Sequence, residues 1–325
     1  PWRDRVLTGA AAVRARAAAP PANPAHFYRT RQGYRVRATL SAAYPDDRAM
    51  ARSYVTYLDS LPHGAELGHL SIFIAPLGEV QLDCGGGTDV LACYVPSQRT
   101  MYVPGDDTQA IGGVSTKFVV AHEFGHHIAA FRRNDPFDRI YSRYGGTLAF
   151  GPKYWSSEEF VCAHAETDYF PGAEDATLYE SNPGEAWAET YAHLRYPDVP
   201  WGYAPALAPT KASLRAARRD VLHPWTRYGV RTFRGALGPH KRRRTVHFDL
   251  RLDGRLSVRL SGPSKANYDL RLRSGPNAAR THRAGSQDHI DYLAACRATP
   301  VAHVAVTVIR RSGRGRFRLR VRYAG

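Results

Sequence analysis

Near residues 228–233 the chain changes its hydrophobic period, and this change constrains the fold more than any other feature of the sequence. Downstream, "TVHFDLRLDGRLSVRLSG" and "RGRFRLRVRY" alternate apolar and polar residues, with turns at Asp253-Gly254, Gly262-Pro263 and Ser312-Gly313. A period of two sends one face of each strand into a core and the other into water. Such strands, spaced by Gly turns, predict an all-β sandwich over residues 232–325. Upstream, helical spacing of apolar residues alternates with short strands, which predicts an α+β domain over residues 26–228. The opening "VLTGAAAVRARAAAPPANPA" holds no sustained period, so residues 1–25 read as a mobile leader. No apolar run approaches the ~18–20 residues of a membrane span.

Within the α+β part, "YRVRATLSAAY" reads as a strand and "DDRAMARSYVTYLDSL" as a helix with acids at its N-terminal turn. "GHLSIFIAPL" is a second strand, and "GEVQLDCGG" is expected to continue or pair with it. "ACYVPSQRTMYVPG" suits a hairpin around Ser97-Gln98, followed by a helix from about Ser115 to Phe131. Residues 132–180 are irregular and rich in aromatics, with one helix expected near "SSEEFVCAHAETDYF", capped by Ser156 or Ser157. "NPGEAWAETYAHLRYP" predicts a helix with Asn182 as cap and Pro183 at its first position. A last helix, "PTKASLRAARRDVLHPW", sets Leu214, Ala217 and Val221 on one side.

Charge divides at the same place as the period. Residues 226–325 hold 23 Arg plus Lys against 5 Asp plus Glu, whereas the rest holds 22 against 24. A basic module is drawn to polyanions, here an anionic cell-surface polymer more than nucleic acid. The competing explanation is compositional: the chain is rich in Ala and Arg throughout, as a GC-rich genome would make it. Cys84 and Cys93 bracket a Gly-rich segment and suit a local disulfide, while Cys162 and Cys296 either bridge the two halves or stay free. An even cysteine count and a start at Pro1 without Met suit a secreted, extracellular protein whose signal has been removed; a fragmentary gene model would also explain that start.

The segment "STKFVVAHEFGHHIAAF" puts His122, Glu123, His126 and His127 into an apolar helix. Four residues apart, His122 and His126 lie about 40° from each other on one face, so both imidazoles can point at one ion. Glu123 sits on the adjacent flank. This is the H-E-x-x-H pattern of two zinc ligands and a general base. The alternative, two hydrogen-bonded core histidines, leaves a buried Glu123 carboxylate unexplained, and such a group is costly. His127 points away from the pair and reads as structural.

A catalytic zinc needs a third protein ligand. A histidine at position 132 would supply it, but that residue is Arg132. The best source is "NPGEAWAETYAHL", where Glu185 and Glu189 are again four apart on a helix with few other charges. Glu185 is assigned to the metal and Glu189 to the N–H of a ligating histidine, with the opposite order open. His164, Glu166 and Asp168 form a weaker alternative set.

"HEFGHH" followed by the E-x-x-x-E helix and its "AETY" string resembles the gluzincin group of zinc metallopeptidases, in particular the anthrax-lethal-factor-like and related secreted bacterial peptidases. The resemblance covers roughly residues 100–195. It implies a zincin-like catalytic domain, one catalytic Zn²⁺, a polypeptide substrate, and a tyrosine before the ligand Glu that stabilises an oxyanion. Tyr179 occupies that place, and Tyr191 and His193 compete for it. "HFDLRLDGRLSVRLSG" and "NYDLRLRSG" resemble the bacterial pre-peptidase C-terminal domain, a β-sandwich whose relatives in some cases bind calcium through acids such as Asp249, Asp253 and Asp269. The expected function is zinc-dependent endopeptidase. Two alternatives stay open: a retired scaffold attached to anionic surfaces through the β-domain, and a hydrolase of non-peptide amides.

Overall fold

The computed structural model describes residues 3, 6–7, 21–85, 87–109, 113–134, 147–166, 179–275, 277–281, 285–297 and 299–325. The N-terminal part is built on a mixed five-stranded sheet of β1 (His26–Arg29), β2 (Arg35–Leu40), β3 (Ser71–Ala75), β4 (Cys93–Val95) and β5 (Thr100–Pro104), in the order β1-β2-β3-β5-β4. β2, β3 and β5 run parallel, while β1 and β4 are antiparallel to their neighbours. Helix α1 (Arg48–Ser60) begins where Asp47 accepts the amides of Ala49 and Met50. Helix α3 (Thr116–Ala130) begins where Ser115 accepts the amide of Phe118.

Two local expectations are corrected. "LGEVQLD" is not a strand but helix α2 (Leu77–Asp83): Pro76 sets its start, and Leu77 and Val80, three apart, are buried. With one β-branched residue, the segment offers little to a pleated sheet. The helix expected after Ser156 or Ser157 is instead two short ones, α5 (Lys153–Glu158, after Pro152) and α6 (Val161–Glu166), beyond a one-turn α4 (Thr147–Phe150). Phe160, at φ 52°, breaks the run between α5 and α6. The serine hydroxyls serve elsewhere: Ser156 Oγ accepts from Asn134, and Ser157 Oγ from the Asp253 amide.

Among the described residues of the first 25, three form backbone bridges to the α+β part. Arg3 bridges Val90, Val6 bridges Tyr94 beside β4, and Ala22 bridges Ser41. An open sheet edge offers backbone partners even to a segment without a period. Residues 8–20 lie outside the described set.

Helices α7 (Pro183–His193) and α8 (Lys211–Leu222) complete this part. Asn182 caps α7 with Pro183 in its first turn, and Thr210 caps α8 in a reciprocal capping box with Ser213. From Gly229 the chain forms two four-stranded antiparallel sheets, in the orders β10-β9-β12-β7 and β11-β8-β13-β6. The strands are β6 (Gly229–Leu237), β7 (Arg243–Leu250), β8 (Gly254–Ser261), β9 (Asn267–Ser274), β10 (Asn277–Arg280), β11 (Gln287–Ala295), β12 (Ala302–Ser312) and β13 (Gly315–Tyr323). Alternate residues such as Phe248, Val258, Leu270, Val306 and Leu319 from both sheets meet in one buried cluster.

The two parts are stapled together. Cys162 is disulfide-bonded to Cys296, and Cys84 to Cys93. Buried Lys153 donates to the Asp253 carbonyl at 3.1 Å, and buried Arg297 pairs with the Asp253 carboxylate at 3.2 Å while donating to the Ser157 carbonyl. No helix among the described residues is long and apolar enough to cross a membrane.

Candidate metal centre

The site lies where α3 crosses α7, and small residues set how closely they cross. A Cβ on Gly125 would stand 2.8 Å from the Ala188 Cα, so only glycine allows this approach of the two backbones. Trp187 then donates its indole N–H to the Gly125 carbonyl at 2.9 Å. At the start of α7, a Cβ on Gly184 would meet the Leu148 carbonyl oxygen at 1.9 Å, so α4 fixes that end as well. Each helix presents an i, i+4 pair of side chains at the crossing: His122 and His126 from one, Glu185 and Glu189 from the other.

The four side chains meet. Glu185 Oε2 lies 3.3 Å from His122 Nε2 and 3.1 Å from His126 Nε2. One ligand atom from each of His122, His126 and Glu185 falls within 4.8 Å of the others, and all three residues are buried. His122 Nδ1 donates to Glu189 Oε2 at 3.0 Å. That bond fixes the tautomer, leaving the Nε2 lone pair aimed at Glu185 Oε2. Two acceptor atoms thus face each other in a dry environment, an arrangement that a cation between them stabilises. Two imidazole nitrogens and a carboxylate oxygen are a donor set that could hold a divalent metal ion. Glu185 also sits in the first turn of α7, where the helix dipole favours its negative charge. Glu123 is fully buried on the neighbouring flank of α3.

Tyr179 reaches this centre: its hydroxyl donates to Glu185 Oε2 at 3.3 Å. The competing residues are engaged elsewhere. Tyr191 donates to the Pro62 carbonyl at 2.7 Å, and both His193 ring nitrogens face carbonyls, those of Glu189 and Val199. His164 is not part of the ligand group; the Glu166 side chain and Asp168 lie outside the described residues. His127 donates from Nε2 to the Glu66 carbonyl at 2.9 Å, so its Nδ1 accepts from the Tyr94 hydroxyl at 3.0 Å. Burial pushes its pKa down to about 4, and the ring stays neutral.

Two roles were not readable from the sequence. Tyr203 lies nearly parallel to the His122 ring, with centroids 6.4 Å apart, and donates to the Tyr179 hydroxyl at 3.2 Å. Its only signal is an aromatic cluster, "WGY", which carries no diagnostic spacing. Arg132, which fills the position a third histidine would need, pairs with buried Glu66 at 3.0 Å and donates to the carbonyls of Asp220 and Val221 near the end of α8. In the sandwich, Asp249, Asp253 and Asp269 each face a cation or imidazole: His303, Arg297 and Arg311.

Fold and site together define an α+β protein with a buried His/His/Glu group, joined to a two-sheet β module. No protein-family model matches the chain, and no curated protein matches it. Among solved structures, the pre-peptidase C-terminal domain of collagenase from Bacillus anthracis is similar at a TM-score of 0.25 and 14% identity, covering 28% of this chain and 87% of that one.

Proposed function

We propose that this chain is a zinc-dependent endopeptidase of secreted type. The observation that carries the reading is the convergence of His122 Nε2, His126 Nε2 and Glu185 Oε2, with Glu189 holding the far nitrogen of His122. These three atoms would hold the ion, and a bound Zn²⁺ supplies Lewis acidity toward water and a peptide carbonyl. Glu123, one position after His122, takes a proton from the attacking water and passes it to the leaving amine. Glu189 keeps His122 in one tautomer and one orientation. The Tyr179 hydroxyl, oriented by Tyr203, is the neutral donor for the oxygen that gains charge. The two disulfides support an oxidising compartment.

The test is Glu123→Gln in the full chain. Zinc content stays near one per chain, and casein cleavage falls at least about 100-fold. Unchanged cleavage by the variant would refute the assignment. Stoichiometric zinc with no proteolysis by the wild type would point instead to a retired scaffold or to a non-peptide amide substrate.

A further inference from the structure

The two outer faces of the sandwich carry similar numbers of arginines but differ in how those are arranged and partnered. On β13, Arg316, Arg318, Arg320 and Arg322 all point outward and are exposed, while Phe317, Leu319 and Val321 fill the core. Their neighbours on the same outer face include Arg234 of β6 and Arg259 of β8, placed by register opposite Arg318 and Arg320, together with Arg255. Asp291 is the one carboxylate that register puts on this face among the described residues, and none of these seven arginines makes an ion pair there. The outer face of the other sheet carries Arg243, Arg271, Arg273, Arg280 and Arg311, but with Asp249 and Asp269, the latter bound to Arg311 at 2.6 Å.

Both sheets share one composition, so an Arg-rich genome does not account for the difference. Like charges directly opposite one another destabilise a sheet, and this face holds two such pairs, Arg318 with Arg234 and Arg320 with Arg259, against Arg271 with Arg280 on the other. One end of the face is also shaped. A recess of about 950 Å³ is lined by Arg234, Arg316, Arg318 and Ser261, beside Gly262 and Pro263.

We infer that the outer face of the β11-β8-β13-β6 sheet binds an extended phosphodiester polymer that carries no bases. Guanidinium forks match tetrahedral phosphate oxygens bidentately. Successive outward arginines on β13 stand about 6.8 Å apart, and neighbouring strands about 4.8 Å, a grid suited to a repeating anion. Nucleic acid is the poorer occupant, because the outward positions of β6, β8, β11 and β13 carry no phenyl, phenol or indole ring among the described residues, and Tyr228, just before β6, is already covered by the Arg322 guanidinium at 4.2 Å.

The test uses the full chain and lipid-free polyglycerol phosphate, followed by fluorescence anisotropy across a salt series. Arg316→Gln, Arg318→Gln, Arg320→Gln and Arg322→Gln combined weaken binding at least about 30-fold and reduce the salt slope by about three. The matched control, Arg243→Gln, Arg271→Gln, Arg273→Gln and Arg280→Gln, removes equal charge and changes affinity less than about threefold. If the quadruple β13 variant fails to fold, Arg234→Gln with Arg318→Gln serves instead, with a loss of at least about tenfold. Equal losses in test and control variants would overturn the assignment. So would no binding by the wild type at low salt, or tighter binding of a 20-base-pair duplex DNA at the same salt.

Discussion

The helix pair and the sandwich handle charge in opposite ways. Where α3 crosses α7, four ionisable side chains with at most 2% exposure are packed against one another. In the sandwich, apolar side chains such as Leu256, Val306 and Leu319 fill the space between the sheets, and the arginines stand outside it. Burying ionisable groups is costly unless each finds a partner, so their geometry must be imposed by the backbone around them. Displayed arginines need no such frame and can change with little effect on the fold. One region is therefore intolerant of a single methyl group, whereas the other should tolerate loss of whole charges.

The strongest way to break this comparison is Gly125→Ala. The added Cβ meets main chain rather than a movable side chain, so α7 has to shift. The expected outcome is a loss of stability of about 2–3 kcal/mol, typical of overpacking. Affinity for the proposed zinc ion falls at least about tenfold with it, because Glu185 and Glu189 move away from His122 and His126. Urea unfolding and competitive zinc titration measure the two effects. An alanine variant with unchanged zinc affinity would show that the glycine does not set the crossing.

This dependence also explains what was legible in the sequence. His122, His126, Glu185 and Glu189 sit at i, i+4 spacings within helices, so local periodicity suffices to put each pair on one face. The period-two strands after Gly229 announced the sandwich for the same reason. Tyr203 and the Arg132–Glu66 pair were not legible, because each depends on a tertiary approach between segments distant in sequence. Helix α2 was missed because seven residues offer few turns from which to judge a period. Which arginines share an outer face required strand order, which alternation alone does not give.

A second test sharpens the cost of buried charge within the helical part. Glu159 is 7% exposed, lies within hydrogen-bonding reach of Ser213, and its Oε1 has no hydrogen-bond partner. Burial, aided by the neighbouring Glu158, pushes its pKa from 4.5 up to about 7. An acid whose folded pKa is raised holds a proton that the unfolded chain releases between those two values. Its contribution to stability is therefore fullest below pH 4.5 and is lost as pH rises through 7. Asp220, also raised to about 7, and Asp253, raised to about 6, titrate in the same window, so Glu159→Gln removes only its own share of the slope and stabilises the protein by on the order of 1–2 kcal/mol at pH 8, after allowance for burying the amide. Urea midpoints from pH 4 to 8 measure it. A difference between wild type and variant that does not grow from pH 4 to 8 would mean that the carboxyl ionises in place without penalty.

The smallest expected effect lies on the sandwich and has the opposite sign. Arg234 and Arg318 stand directly opposite on neighbouring strands, both exposed. Arg234→Thr removes the repulsion and puts a β-branched residue on a pleated surface, so the protein gains about 0.3–0.5 kcal/mol at low salt. Salt screens exposed charges over about 10 Å at 0.1 M, and the repulsive part of the gain disappears by 0.5 M. Urea unfolding at 20 mM and 500 mM salt separates that part from the strand propensity, which salt does not change. Destabilisation at both salts would mean that Arg234 packs against the sheet in a way its charge conceals, and the contrast between a framed interior and a free surface would then fail at this position.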